Sequence, residues 1–382
     1  MAQVSLLFYA IVLTIFMAII PVASDQHSLP RLYFRGNHYQ LGFETGRTFS
    51  QRIRSAFKES RSLHQTLLPF YKTAQGYVLF KKYLQSANET FPHYVREIKG
   101  IADGSRIAFD QVFLMHIENE IETYLKKFKN MTPSCTDIHV KTNNHTLLGH
   151  NEDADSAVRR YGYIITAEIV LSNDTIKEKF TAYTYPGLIS GNAFGFNNHG
   201  FLFTCNAVFP RQTNQSALPR NILTRAILAS RGIDDALQLV KNTSVAVGVS
   251  INMGDLSTGK LVNIELSPYH GNKMILVDKH YYHFNMYKNF NPPQYDDPSS
   301  IHRRARAKML PLLPGKSGIL LILGDTKDPK YPIYRDATPP DHDLTVATGL
   351  FDIKKKSLSI FVNNPKLHSQ PLMQFSLSKS AL

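Results

Sequence analysis

The sequence has almost no cysteine: Cys135 and Cys205 are its two among 382 residues. That excludes the dense disulfide framework on which small secreted domains depend. The fold has to stand on its core, and a chain of this length with 43% hydrophobic residues can bury a large one. A single Cys135–Cys205 bridge is the plain use for the pair. Past Ile20 there is no second apolar run long enough to span a bilayer. Low-complexity stretches, repeats and a polar linker are also missing, so nothing divides the chain into separate modules. The chain is basic, with 43 Lys and Arg against 30 Asp and Glu and a formal charge of +13. It nevertheless lacks the aromatic-interleaved basic stripe and the zinc-finger spacing that nucleic-acid readers carry. Its cations sit in short groups such as Lys126-Lys127 and Lys354-Lys355-Lys356. They read as solubility or weak attraction to acidic surfaces, so no nucleic-acid partner is expected.

What is present begins with the first segment, MAQVSLLFYAIVLTIFMAIIPVASDQ. The run Leu6–Ile20 has the length of a signal-peptide core and is short for a membrane span. Val22, Ala23 and Ser24 supply the small residues a signal peptidase reads, so residues 1–24 are assigned as a leader cut near Ser24–Asp25. The n-region has no Lys or Arg, and an uncleaved anchor is the alternative. Sequons at Asn88, Asn130, Asn144, Asn173, Asn214 and Asn242 agree with passage through the secretory pathway. The expected product is a secreted or lumenal glycoprotein, with no stable membrane insertion once the leader is gone.

From His38 to Lys129 the pattern is helical. FDQVFLMHIENEIETYL puts Val112, Met115, Ile117, Ile121 and Leu125 near one face, with Asp110 as N-cap. In LGFETG, Gly42 and Gly46 lie four apart, so a neighbouring element can approach closely. Beyond Cys135 the pattern turns to strands in DIHVK, TLLGH, YGYIITAEIVL and FTAYTY. FGFNNHGFLFTCNAVF reads as two strands joined at Asn197–Gly200, and a further hairpin turns at Asp255–Gly259. Helices interrupt at NILTRAILAS and at DDALQLVK, the second with Asp234 as N-cap. HRRARAKML is helical, and LTVATGLFDIKKKSLSIFV closes as a hairpin. The pattern is one α+β domain with a helical first third and a sheet-rich remainder.

The stretch CTDIHVKTNNHTLLGHNEDAD brings the scarce residue and an acidic cluster together. Asn143-Asn144 is a favoured two-residue turn. It sets Thr142 opposite His145 and, counting outward, Cys135 opposite Glu152, with Asn151 and Asp153 alongside. Cross-strand neighbours lie roughly 5 Å apart, so the pattern places a thiol beside carboxylates. Asn144 sits at the tip, a position that suits a glycan.

A thiol needs a base or a lowered pKa to become a nucleophile. His139 and His150 are near in sequence, but a papain-like C-G-S-C-W context is absent. His139, His145, His150 and Asp153 also invite a metal reading. Their spacing is loose, and histidines so placed are ordinary strand residues, so no metal or other cofactor is expected. The third option is scission between Ser134 and Cys135. It would give Cys135 a free α-amine with a pKa of about 7.7–8.0, against about 10.4 for a lysine amine. That amine can act as base for its own thiol, with Asp153 balancing the new ammonium.

The same stretch resembles the N-terminal nucleophile cysteine amidases and acyltransferases typified by isopenicillin-N acyltransferase, which carry a C-T-x motif and a downstream Asn-x-Asp. RGNHYQLGFETGRTF, FPHYVREIKGIADG, LGHNEDA, PRNILTRAILAS, YHFN, SSIHR and ILGD look like segments of that family's β-alanyl amine hydrolases, in the same order. The resemblance implies an αββα four-layer sandwich of the N-terminal nucleophile hydrolase type. It implies self-cleavage into a helical chain, 25–134, and a sheet-rich chain, 135–382, that stay in one globular domain. Carried over, Cys135 is the nucleophile and new N-terminus, Asp153 its partner, and Asn206 and Asn285 the oxyanion-site asparagines. Arg303 is the buried arginine that pairs with Asp153, with Arg306 as the alternative. One preorganised oxyanion donor is worth about 3–4 kcal/mol, and an arginine keeps a neighbouring carboxylate ionised. Ser134 stands where the family has glycine. Glycine eases the backbone strain that precedes an N-to-S acyl shift, so Ser134 predicts slower scission.

The expected activity is hydrolysis of a small N-acyl amide, by the resemblance a β-alanyl amine such as β-alanyl-dopamine or carcinine. A β-alanyl ammonium wants a carboxylate, for which Glu152 is the candidate. Acyl transfer from a thioester donor to an amine uses the same site, and a non-catalytic secreted glycoprotein that kept only the fold is the third reading. The oligomeric state is left open.

Overall fold

A computed structural model describes residues 29–127 and 134–377. The leader, its cleavage position and Asn130 lie outside the described residues. The chain opens with strand β1 (Arg31–Gly36) and runs through α1 (His38–Thr48) and α2 (Ser50–Glu59). A π-helical turn at Leu63–Leu67 leads into α3 (Leu68–Tyr71), α4 (Ala74–Thr90), α5 (Pro92–Ser105), α6 (Phe109–His116) and α7 (Glu118–Tyr124). The sheet-rich part holds β2 (Ser134–Lys141), β3 (Thr146–Asp155), β4 (Tyr163–Val170), β5 (Ile176–Thr184), β6 (Phe194–Asn197) and β7 (Phe201–Ala207). After α8 (Arg220–Leu228) and α9 (Ile233–Lys241) come β8 (Val249–Asp255), β9 (Leu261–Ser267), β10 (Gly271–Leu276) and β11 (Tyr281–His283). The chain ends with α10 (Pro298–Met309), α11 (Gly315–Leu323), β12 (Asp343–Asp352), β13 (Ser357–Phe361) and β14 (Met373–Ser376). No helix of the described residues is long and apolar enough to cross a membrane.

The strands form two sheets. One has the order β1-β4-β5-β6-β7-β8-β9-β10, the other β11-β2-β3-β12-β13-β14. Three apolar cores separate four layers. The first lies between the N-terminal helices with α8 and α9 and the larger sheet, joining Leu41, Ile98 and Ile227 to Ile165, Phe180 and Ile251. The second lies between the sheets, where Tyr183, Phe194 and Leu202 meet Leu148, Phe351 and Ile360. The third packs Ile138, Val140 and Leu147 of the smaller sheet against Ile319 and Leu323 of α11. The αββα sandwich is therefore present, and β2 and β3 are covered on both faces.

Local sequence explains much of this. Asn37 caps α1, and Gln40 completes a capping box with it. The glycines of α1 do allow close approach: a Cβ at Gly42 would lie 1.9 Å from Glu97 O, and one at Gly46 2.4 Å from Ile101 O. Gly100 and Gly104 of α5 meet α1 backbone at 2.2 and 2.1 Å in the same sense. Two expected caps move. The cap of α6 is Ala108, and Asp110 sits in the first turn, where its carboxylate complements the helix dipole and accepts from Tyr71 Oη at 2.5 Å. The cap of α9 is Gly232, with Asp234 again in the first turn. The pattern also gave no sign of β1, which joins β4 in parallel, Arg31 opposite Ile164.

Candidate active site

The β2–β3 hairpin has the register that its turn demands. Thr142 N donates to His145 O, Lys141 faces Thr146, Cys135 faces Glu152 and Ser134 faces Asp153. Strand alternation then sorts the polar residues. Cys135, Asp137, His150 and Glu152 point toward the larger sheet; Ser134, Thr136, Asn151 and Asp153 point toward the layer of α10 and α11. Cys135 and Cys205 are both free and buried. Cys205 packs in the first core, and its Sγ donates to Gly191 O.

On the larger-sheet side a relay runs from the thiol into the protein. Cys135 Sγ lies 3.8 Å from Glu152 Oε1, which also accepts from Tyr185 Oη at 2.5 Å. Glu152 Oε2 is 2.8 Å from His150 Nε2, and His150 Nδ1 is 2.9 Å from Asp137 Oδ2. Asp137 is held further by Thr204 Oγ1 at 2.5 Å and Asn206 Nδ2 at 2.6 Å, and Asn206 Oδ1 accepts from Asn252 at 3.1 Å. Asp137, His150 and Glu152 are fully buried. Burial alone would discharge His150, but the Asp137 carboxylate and the bonds to Asp137, Cys135 and Glu152 lift its pKa well above the usual histidine value. That favours the imidazolium, whose two N–H groups can donate to the two carboxylates. Asp137 answers in kind: burial would raise it, but the charge and bond of His150 and the Thr204 hydroxyl hold it below its ordinary value. Glu152 is left high by burial, against the opposing pull of His150. Burial, then the Glu152 charge, push the Cys135 thiol up to about 12, which keeps it protonated.

The backbone of Cys135 is gripped from the other side. Its N–H donates to Asn285 Oδ1 at 2.8 Å, and its carbonyl accepts from Arg303 Nη1 at 2.5 Å. Arg303, fully buried on α10, also donates to Thr136 Oγ1 at 2.8 Å, Asn285 Oδ1 at 2.9 Å, and the hydroxyls of Ser299 and Ser300. Asn285 Nδ2 donates to Ala207 O at 2.9 Å, which ties that asparagine to the end of β7. Asp153 Oδ1 accepts from Thr345 Oγ1 at 2.7 Å, and its buried Oδ2 has no hydrogen-bond partner. Burial lifts Asp153 to about 7, with Arg335 and then Arg303 pulling the other way.

The expected residues thus divide. Cys135, Asn285 and Arg303 meet directly, and Asn206 is joined to them through Asp137, His150 and Glu152. Arg303 does not ion-pair with Asp153, because its donors are taken by Cys135, Thr136, Asn285 and the two serines. Arg306 lies apart, paired with Asp325 at 2.8 Å. The loose histidine set does not converge: His139 bonds Asn252 and His145 sits at the turn. Arg335 was missed. It reaches in from the chain between α11 and β12, donates to Ser134 Oγ and pairs with Asp341 and Asp343. The His150 relay was missed too. Its signal was there, in ionisable residues at the inward, alternate positions of both arms. Of the described sequons, Asn88, Asn144, Asn173 and Asn242 are exposed and Asn214 is partly covered.

Comparison with known proteins now bears on this geometry. The profile of the family described as acyl-coenzyme A:6-aminopenicillanic acid acyl-transferase matches residues 140–367. A Drosophila melanogaster protein, beta-alanyl-dopamine/carcinine hydrolase, is 31% identical over 364 residues, 89% of this chain and 94% of its own length. The chain belongs to this acyltransferase family. A second member, the 40 kDa form of the acyl-coenzyme A:6-aminopenicillanic-acid-acyltransferase of Emericella nidulans, is 26% identical over 50% of each chain. Among solved structures, the Caenorhabditis elegans ortholog of N-acylethanolamine-hydrolyzing acid amidase aligns with a TM-score of 0.40 and 12% identity, over 64% of this chain and 100% of that one. The family profile begins at Val140, so Cys135 and Ser134 lie outside it and rest on the geometry above.

Proposed function

We propose that the chain is a self-cleaving cysteine amidohydrolase acting on small N-acyl amides, in particular β-alanyl amines. The substrate class follows the relative's activity, as its name gives it. One observation carries the reading. The residue at the head of β2 has its nitrogen held by Asn285, its carbonyl by Arg303 and its thiol by Glu152, so the Ser134–Cys135 link sits at the meeting point of every group the chemistry needs.

In the uncut chain there is no α-amine, and Glu152 is the group that takes the thiol proton. Its raised pKa makes it a stronger base than an exposed carboxylate, and His150 with Asp137 steadies the charge. Cys135 Sγ attacks the Ser134 carbonyl carbon. The C–N bond breaks, the nitrogen leaves as the Cys135 amine, and water hydrolyses the Ser134 thioester to a carboxylate and a free thiol. In the processed enzyme the amine, with a pKa of about 7.7–8.0, replaces Glu152 as the base. Asn285 Oδ1 already marks its position, and Asp153 Oδ2 is a buried acceptor free to take an ammonium N–H. The thiolate attacks the amide carbonyl, the amine group of the substrate leaves with the proton, and water releases the acid. Asn206 and Asn285 each bond one Nδ2 hydrogen within the protein and keep a second for the oxyanion.

The test is the mass of the purified protein together with turnover of β-alanyl-dopamine. Two fragments meeting at Ser134/Cys135, and a single inactive chain for Cys135→Ala, are expected. A fully active unbroken chain defeats the proposal, and an acylated amine in place of free β-alanine makes the enzyme a transferase. We place it in the secretory pathway on its leader and sequons; a glycosidase that leaves its mass unchanged removes that support.

A further inference from the structure

The relay has a use beyond proton transfer. Cys135, His150 and Glu152 offer one ligand atom each, and these atoms all lie within 4.8 Å of one another. Tetrahedral zinc, with bonds of about 2.3 Å to sulfur and about 2.0–2.2 Å to nitrogen and oxygen, sets its donors roughly 3.4–3.6 Å apart. The Cys135 Sγ–Glu152 Oε1 distance of 3.8 Å is already near that value, and the other oxygen of the same carboxylate, Oε2, lies 2.8 Å from His150 Nε2, so Glu152 stands between the sulfur and nitrogen donors. The surroundings are those of a supported metal site. Asp137 accepts from the far nitrogen of His150, which fixes the tautomer that leaves Nε2 for a metal, and Tyr185 steadies the ligating carboxylate.

We propose that this cluster binds a divalent zinc-type cation that caps the Cys135 thiolate and holds the enzyme inactive until the ion is removed. The ion binds the thiolate and the neutral imidazole Nε2, so any protons on them leave to solvent, and no oxidation state changes. After scission the Cys135 amine lies on the same residue as the thiolate and closes a five-membered chelate ring as fourth ligand. The inference rests on the amidase reading in one respect: an amide has to reach Sγ, and any path wide enough for an amide is wide enough for an aquated ion.

Cobalt(II) is the probe, because cobalt–thiolate bonds give a charge-transfer band in the near ultraviolet. Titration of the purified full chain is expected to raise this band to a one-to-one endpoint. The band is expected to vanish in Cys135→Ala, to persist in Cys205→Ala, and to yield to zinc. Zinc at one equivalent is expected to slow iodoacetamide alkylation of Cys135, read by peptide mass, with EDTA restoring it. Cobalt bound without the band, as the separate His38–His93–Glu178 cluster would bind it, overturns the proposal, as does a band that survives Cys135→Ala. Neither readout needs turnover. A chain that shows the band with cobalt but hydrolyses nothing after EDTA has stripped the metal defeats the amidase reading alone; an active amidase without the band defeats the metal site alone.

Discussion

His150 and His38 are both buried between two carboxylates, yet the two clusters are built for different ends. His150 lies between Asp137 and Glu152 at 2.9 and 2.8 Å. His38, at the start of α1, lies 2.8 Å from Glu97 of α5 and 3.5 Å from Glu178 of β5. The second cluster has a permanent cation. Arg225 of α8 bonds Glu97 and Glu178 at 3.2 and 2.8 Å, and its guanidinium sits 4.6 and 4.5 Å from the rings of Tyr94 and Phe180. Burial would raise both glutamates, but Arg225, seconded by His38, pulls them below their ordinary values. Charge there is settled, and the cluster ties three helices to the larger sheet. Among the described residues no arginine bonds Asp137, His150 or Glu152, so His150 is the cation between these carboxylates and Glu152 stays high, against a thiol. The two clusters differ by one guanidinium, and on the proposed mechanism its absence is what leaves Glu152 to accept a proton.

The comparison can be broken at several points. The largest effect expected is from His150→Gln, which keeps a hydrogen-bonding side chain but removes the cation. Scission and turnover should fall by about 10²–10⁴-fold, the usual worth of a positioned acid–base group, and the fold should weaken too, since two buried carboxylates lose their cation. Time-resolved gel analysis of the precursor reads this, and undiminished scission would make the cluster as passive as its counterpart. Arg225→Met should cost stability alone. Two buried carboxylates lose their partner, at a cost of roughly 3–5 kcal/mol in chemical denaturation, while whatever folds still cuts itself. A stable but uncut Arg225→Met would invert the assignment.

The smallest effect separates the histidines by pH. The folded pKa of His38 is raised: burial opposes this, but Glu178 and Glu97 outweigh it. A raised value means that its stabilisation is complete below the ordinary histidine pKa of about 6.5 and is lost as pH climbs through the folded one. The difference in melting temperature between the parent and His38→Gln should therefore be widest in mild acid and narrow toward alkaline pH. A constant gap would mean that His38 is not charged in the fold.

How much of this could be read in the sequence depended on distance along the chain. The Cys135–Glu152 pairing was legible because a two-residue turn leaves no freedom of register. The close seam of α1 and α5 was half legible, from Gly42 and Gly46, while its other half, Gly100 and Gly104, acts from a helix far along the chain. Arg335 left no local trace, since Ser134 and its own partners Asp341 and Asp343 meet it only in the fold. The Asp137–His150 pair stayed hidden for another reason: its face of the hairpin lies against a second sheet, where Thr204 and Asn206 satisfy Asp137, and no local pattern shows which sheet covers a strand.

The parallel pairing of β1 with β4 has a practical outcome for anyone purifying this protein. A break ahead of Cys135 would leave the shorter piece stitched by a strand into the longer one and wedged beneath its sheet by seven helices. Gel filtration would then return one particle of unaltered size, and the nick would show itself only once detergent or denaturant had dissolved the seam.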